Sequence, residues 1–401
     1  NSRRMKSFLP KAISELFLAI SLLACQTSIT QENNTSIARS EMLLDSIFKY
    51  YQAEGSNLFN ENYPKSSNDK VTYLASTDTV TKDKVAYLWP TSGVFSGVNA
   101  LLKTTRDNKY QALLQEKIIP GLECYYDTTR TPACFQSYIS EAGHADRFYD
   151  DNIWLGIDFL ETYRLTGNKK YLKQSEEIWK FLLSGNDDVL NGGIYWCEQK
   201  KESKNTCSNA PASVLALQLF ETTRDSAYYQ KGLELYTWTK VNLQDSDYIY
   251  FDNLKTDGRI GTEKYAYNTG QMLQAASLLY KLTGNRQFLT EAQNVARAGI
   301  NYFTEPFKTQ DGTDIRLFRN RGTWFVAIMM RGYIELYLQD NNPEYLQIFA
   351  DNLELAWKSA RYDNGLINSD WSGGKKEKQQ WLLNQAAMVE MYANLGNMNL
   401  K

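Results

Sequence analysis

Asp150 and Asp151 stand side by side at the head of a helical run, Asn152–Leu165, with Phe148, Tyr149 and Trp154 around them. Adjacent acids among aromatic rings suit sugar chemistry. Glycoside hydrolysis needs one carboxylate to attack or assist at the anomeric carbon and one carboxylic acid to protonate the leaving oxygen, with surroundings that hold the two pKa values apart. Helix capping explains the same pair, since an Asp before an apolar helical run accepts bonds from the free amides of the first turn and complements the helix dipole. The surroundings must decide between the two.

Those surroundings repeat. Apolar residues recur at helical spacing, as in Ile153, Ile157 and Leu160, and no sustained strand alternation is visible. A turn recurs at Arg106-Asp107-Asn108, Thr166-Gly167-Asn168, Arg224-Asp225-Ser226, Thr283-Gly284-Asn285 and Asp340-Asn341-Asn342, in steps of 60, 58, 59 and 57 residues. Each turn is followed by a helix that opens near an aromatic residue: Tyr110, Tyr171, Tyr228, Phe288 or Tyr345. The unit is a helical hairpin. A sixth hairpin forms if the last helix, Trp381–Leu395, pairs with the first, Ile37–Tyr51, and this closes the set into a toroid. Six inner helices then begin near Thr91, Asp150, Asn209, Asn268, Trp324 and Gln380, at one repeat phase and therefore at one rim. That rim gathers Trp, Tyr, Asn and acids. Capping accounts for the polar residues there but not for the rings beside them.

The 401 residues carry 44 basic against 46 acidic side chains, and a net charge of -2 gives no electrostatic footprint for nucleic acid. A hydrophobic share of 43% is ample for a large core, and the aromatic share of 13%, with 27 Tyr and 9 Trp, leaves rings to present to a ligand. The lone histidine, His144, disfavours multi-histidine zinc centres and paired-His chemistry and reads as a loop residue. Cys124 and Cys134, and Cys197 and Cys207, lie ten positions apart. That spacing suits local disulfides in an oxidising compartment better than a zinc knuckle, and free thiols remain open.

Three blocks in order, Tyr149-Asp150-Asp151-Asn152-Ile153-Trp154, Gly192-Gly193-Ile194-Tyr195-Trp196 and Tyr265-Ala266-Tyr267-Asn268-Thr269-Gly270, resemble glycoside hydrolase family 76, the endo-α-1,6-mannanases, over roughly residues 40–395. The resemblance implies an all-α (α/α)6 barrel and retaining hydrolysis of α-1,6-mannosidic bonds in a mannan backbone. It also implies Asp150 as nucleophile and Asp151 as acid, although the residues alone leave their roles interchangeable. Successive helical residues diverge by about 100°, yet in a first turn their carboxyl groups can approach the roughly 5 Å that retention needs. Trp89, Trp196, Asn209, Asp257, Tyr267 and Asn268 are the candidates for gripping the sugar. The segment Phe318–Trp324 follows the family's pattern only loosely, which leaves preferred chain length and tolerance of branches open. No metal motif or cofactor is expected, and the partner is a mannan or manno-oligosaccharide bound by a monomer. The rivals are an unsaturated glucuronyl hydrolase on the same barrel, which needs cations such as Arg319 or Arg321 for a uronate, and a surface glycan-binding lipoprotein without catalysis.

The N-terminal stretch reads as an export signal: Arg3, Arg4, Lys6 and Lys11, then an apolar run from Leu16 to Leu23, ending Leu22-Leu23-Ala24-Cys25. That ending resembles a bacterial lipobox. It implies lipidation of Cys25, a polar linker over residues 26–36 and a single catalytic domain over 37–401, tethered at the cell envelope on the outer surface or in the periplasm. About ten apolar residues are too few to span a bilayer.

Overall fold

The computed structural model describes residues 33–66, 85–319, 322–398 and 400. Helices alternate along the chain between an outer and an inner ring. The outer set is α1 (residues 33–51), α3 (Asn108–Leu113, continued through a π turn, Leu114–Ile118, into Ile119–Glu123), α5 (Lys169–Ser184), α7 (Ser226–Leu243), α9 (Arg286–Phe303) and α11 (Glu344–Ser359). The inner set is α2 (Leu88–Thr105), α4 (Tyr149–Thr166), α6 (Thr206–Thr223), α8 (Ala266–Thr283), α10 (Thr323–Asp340) and α12 (Leu382–Leu395). Each inner helix packs on the next, and α12 packs on α2, so the ring closes as an (α/α)6 barrel. The observed inner starts fall within three residues of the positions read from the repeat. Residues 33–36, read as linker, are already helical.

The sequence pattern divides the rings. In α9 the buried residues Leu289, Ala292, Val295, Ala296, Gly299, Ile300 and Phe303 make one stripe, as a helix with one face to solvent requires. In α2, Pro90 through Leu102 is buried without interruption, because an inner helix is covered on all sides. Close approach within the inner ring rests on small residues: a Cβ on Gly332 would meet the Gly270 carbonyl oxygen of α8.

The recurring turn has a common geometry. Inner helices end in a left-handed residue, Arg106, Gly167, Arg224, Gly284 or Asn341, whose amide bonds back into the last turn. The next residue in four of the turns, Asp107, Asn168, Asp225 or Asn285, then caps the outer helix by accepting from the amide two positions on. One such cap is worth about 0.5–2 kcal/mol. These turns are short, so the chain spends its loop length at the other rim.

There the reading without strands is corrected. Strands Tyr195–Cys197, Lys200–Asn205, Phe251–Lys255 and Ile260–Lys264 form one antiparallel sheet that joins the loops before α6 and α8. Thr304–Lys308 pairs with Asp314–Phe318, and Asn62–Tyr63 pairs with Gln380–Trp381, which ties the chain's two ends together at the rim. Lys200–Asn205 is polar throughout, so it carries no alternation to read; backbone pairing on both sides makes it a strand. Cys124, Cys134, Cys197 and Cys207 are all free thiols, which replaces the expected disulfides. The Cys197 sulfur turns to Gln199, whereas Cys207 opens α6 and faces the barrel mouth. Among the described residues no helix is long and apolar enough to cross a membrane. The lipobox and Cys25 lie outside the described residues.

Candidate active site

Asp150 and Asp151 occupy the first turn of α4, and Phe148, not an aspartate, is the N-cap. Neither acid is therefore the helix cap, although both sit in the first turn. Both acids instead line a cavity of about 770 Å³ at the barrel mouth. It is walled by Trp89, Trp154, Trp196, Tyr267, Trp324, Phe325 and Trp381. The rings lock one another: Trp89 meets Trp324 and Trp381 edge to face at 5.2 and 5.3 Å, and Tyr267 stacks on Phe325 at 4.3 Å.

The two carboxyl groups have unlike surroundings. Asp150 Oδ2 accepts from the Trp196 indole at 3.1 Å, and its Oδ1 accepts from the Asp151 amide at 3.1 Å. The Cys207 thiol stands beside Asp150 and favours its charged form, with Tyr267 next to the thiol on the same cavity wall. Among the described residues no protein donor reaches the Asp151 carboxyl. Burial raises both groups, Asp150 to about 6 despite its donors, which favour the charged form. Burial and the neighbouring Asp150 charge push Asp151 well above the ordinary carboxylate range. The pair titrates together, and the donor set assigns the charge to Asp150 and the proton to Asp151.

Trp196 reaches Asp150 because the segment before α4 is fastened to the strand that carries it. Phe148 bridges to Cys197, and the Glu198 amide donates to the Arg147 carbonyl at 3.0 Å. Arg147, almost fully buried, holds Glu198 through both carboxylate oxygens at 2.6 and 2.5 Å, and Nη1 donates to the Pro132 carbonyl at 2.9 Å. Removing one partner of a buried pair of this kind costs about 3–5 kcal/mol.

Of the six residues expected to grip sugar, Trp89, Trp196 and Tyr267 line the cavity with the acids. The other three do not. Asn209 is fully buried and clamps the backbone of Ile194 and Asn205, as Asn152 clamps Phe135 and Gln385 clamps Ile367, each from the fourth residue of its inner helix. An amide can satisfy both backbone groups of a neighbouring loop, and that task has consumed Asn209. Asn268 is also buried, and its amide reaches Asp252 at 3.4 Å. Asp257 sits exposed at a hairpin tip, paired with Arg259 at 2.7 Å. His144 is an exposed loop residue whose Nε2 lies 2.9 Å from the Thr129 hydroxyl.

Several lining acids escaped the sequence. Asp252 is brought in by strand pairing, held by Asn253 at 2.8 Å, and raised by burial. Glu61 arrives through the pairing of the chain ends and accepts from the Trp381 indole at 2.5 Å and the Tyr87 amide at 2.8 Å. Asp146 completes the set. The strand Phe251–Lys255 carries no apolar alternation, so no local pattern marked Asp252 in the sequence.

Residues 38–400 match the description Glycosyl hydrolase family 76. The chain belongs to this family. This family 76 chain is a glycoside hydrolase, and its barrel is the family's. It is similar to a family 76 mannosidase from Bacteroides thetaiotaomicron VPI-5482, with 29% identity and a TM-score of 0.83, covering 90% of this chain and 98% of that one. It is also similar to a family 76 glycoside hydrolase from a bovine Bacteroides thetaiotaomicron strain, with 32% identity and a TM-score of 0.82, covering 90% and 77%. The fold extends to an inactive variant of the α-1,6-mannanase of Salegentibacter sp. HEL1_6, substituted at two consecutive aspartates and bound to α-1,6-mannotetraose. There the identity is 22% and the TM-score 0.72, covering 90% and 98%. No curated protein sequence compared with this chain matches it.

The raised pKa values carry a stability consequence. A carboxyl that binds its proton more tightly folded than unfolded opposes folding once pH exceeds the unfolded value near 4. The penalty grows through the window up to the folded value and is full above it. Asp151→Asn is therefore expected to be more stable than the wild type at pH 7, with the gain disappearing toward pH 4. Chemical denaturation at both pH values checks this, and equal stability at pH 7 contradicts it.

Proposed function

We propose that this glycoside hydrolase is a retaining, endo-acting enzyme that cleaves α-1,6-mannosidic bonds in mannan backbones. The observation that carries the reading is the unequal pair, Asp150 with its hydrogen-bond donors beside Asp151 without them, in the wall of an aromatic cleft. Asp150 attacks C1 of the bound mannosyl unit as the C1–O6 bond breaks, and Asp151 gives its proton to the departing O6. Asp151 then takes a proton from water, whose oxygen attacks C1 and releases Asp150. The cavity lies toward the upper end of the roughly 300–1,000 Å³ of sites that enclose a whole ligand. Mannan as substrate is supported by the names of the similar enzymes, mannosidase and α-1,6-mannanase, and by the tetrasaccharide held by one of them.

A uronate-specific reading finds less support, because the described lining contains Glu61, Asp146, Asp150, Asp151 and Asp252 but no Lys or Arg. A uronate carboxylate in that field would be repelled.

Digestion of debranched α-1,6-mannan is expected to yield a ladder of oligomers whose newly formed ends are first α-anomers by NMR. The rate should fall below pH 6, as Asp150 takes up a proton, and fall again at high pH, as Asp151 loses its own. Release of monosaccharide only, or of β-anomers first, would overturn the endo or the retaining part of the reading.

We also propose that Cys25 is lipidated and tethers the enzyme at the bacterial cell envelope, on the support of the basic, apolar and Leu-Ala-Cys succession of residues 3–25. Full-length protein should sediment with membranes, and Cys25→Ser should leave it uncleaved at that site and unacylated. Equal acylation of the variant by mass spectrometry contradicts the assignment.

A further inference from the structure

A second cavity, of about 220 Å³, opens at the same rim behind the N-terminus of α10. It lies between the Thr304–Lys308/Asp314–Phe318 hairpin and the turn that carries Trp371. One helix end divides it from the main cleft: Thr323 and Val326 line the second cavity, whereas Trp324 and Phe325 line the first. Phe318, Arg319, Gly322 and Thr323, which border it, belong to the part of the sequence that resembles the family pattern only loosely.

Its chemistry is that of a site for a neutral, hydroxylated ring. Phe307, Phe318 and Trp371 supply apolar surface, and Phe318 meets Trp371 edge to face at 6.4 Å. Thr323 and Trp371 are 3% and 5% exposed, yet the Thr323 hydroxyl and the Trp371 indole N–H have no hydrogen-bond partner. Buried polar groups are nearly always paired, and buried tryptophans usually find an acceptor. The main cleft shows the same signature, in the unpartnered Trp89 indole and Asn253 carbonyl. The charges at the second mouth are already engaged. Asp370 accepts from the Ser372 hydroxyl at 2.6 Å and the Lys375 amide at 2.7 Å, and Arg319 lies 3.7 Å from Glu305. Among the described residues the charged groups at this mouth are already paired, whereas the Thr323 hydroxyl and the Trp371 indole leave one donor–acceptor and one donor unpaired for sugar hydroxyls.

We propose that this cavity is an accessory subsite for one hexopyranose unit, a mannosyl branch on the backbone held in the main cleft. The inference rests on the mannan reading above, and its size admits a ring but not a chain.

The test compares the wild type with Thr323→Val and Trp371→Phe on linear α-1,6-mannan and on the same backbone bearing mannosyl branches. Each variant should lose roughly 3- to 10-fold in kcat/KM on the branched polymer, the loss of one hydrogen bond, with the linear rate unchanged. In the wild type, the Trp371 indole 15N–1H resonance, assigned by its absence from Trp371→Phe, should shift on titration with methyl α-mannoside. Equal losses on linear and branched chains overturn the branch and place a backbone unit in the cavity. Unchanged rates with an unmoved Trp371 resonance overturn the subsite altogether. A wild type that cleaves neither polymer sinks the mannanase reading instead, and the Trp371 resonance then still decides whether the cavity takes a sugar.

Discussion

Two carboxyl groups on consecutive residues, half-buried in a wall of rings, cannot both carry charge at modest cost, because burial penalises each anion and each anion penalises the other. The site resolves this by giving every available donor to one of them. The Trp196 indole and the Asp151 amide donate to Asp150, with the Cys207 thiol beside it, and the Asp151 carboxyl is left to keep its proton. Much of the rim serves that asymmetry. The Arg147–Glu198 pair and the Phe148–Cys197 bridge hold the Trp196 strand against the first turn of α4, and the Asn209 clamp fixes the strand's approach to α6.

The barrel supplies the precision for this arrangement. Six inner helices start at one level, so a donor on the loop before α6 meets an acid on the first turn of α4, and a thiol on the first turn of α6 and a ring on the first turn of α8 line the same cavity. Short capped turns at the opposite rim keep that register, and the pairing of Asn62–Tyr63 with Gln380–Trp381 closes the ring beside the cleft. The same closure brings Glu61 onto the Trp381 indole, which orients a ring of the aromatic wall.

The sequence carried the repeat plainly, because each turn combines a left-handed helix end with an Asp or Asn cap, and those two demands leave a residue signature. It carried the Asp pair for a similar reason, since few structural tasks place two acids and three rings together. It concealed what depends on pairing across distance. Lys200–Asn205 becomes a strand with no apolar pattern of its own, and Asp252 enters the cleft on a strand, and Glu61 just before one, that pairs with a segment far along the chain. Asn209 and Asn268 lie behind the cleft wall rather than on it: the Asn209 amide serves a loop backbone and that of Asn268 reaches Asp252, and burial is what separates such amides from ones that face a ligand. Cys207 looked like half of a disulfide, while it is a free thiol in the cleft wall with Asp150.

The central claim is the division of labour between the two aspartates. Azide rescue tests it directly, using an α-mannoside with a good leaving group and Asp150→Ala or Asp151→Ala. If Asp150 is the nucleophile, azide enters the vacated space in Asp150→Ala and gives a β-mannosyl azide by single inversion. Asp151→Ala, with its nucleophile intact, gives an α-mannosyl azide by double displacement. The reverse pattern of anomers would exchange the two roles and contradict the reading drawn from the hydrogen bonds around Asp150.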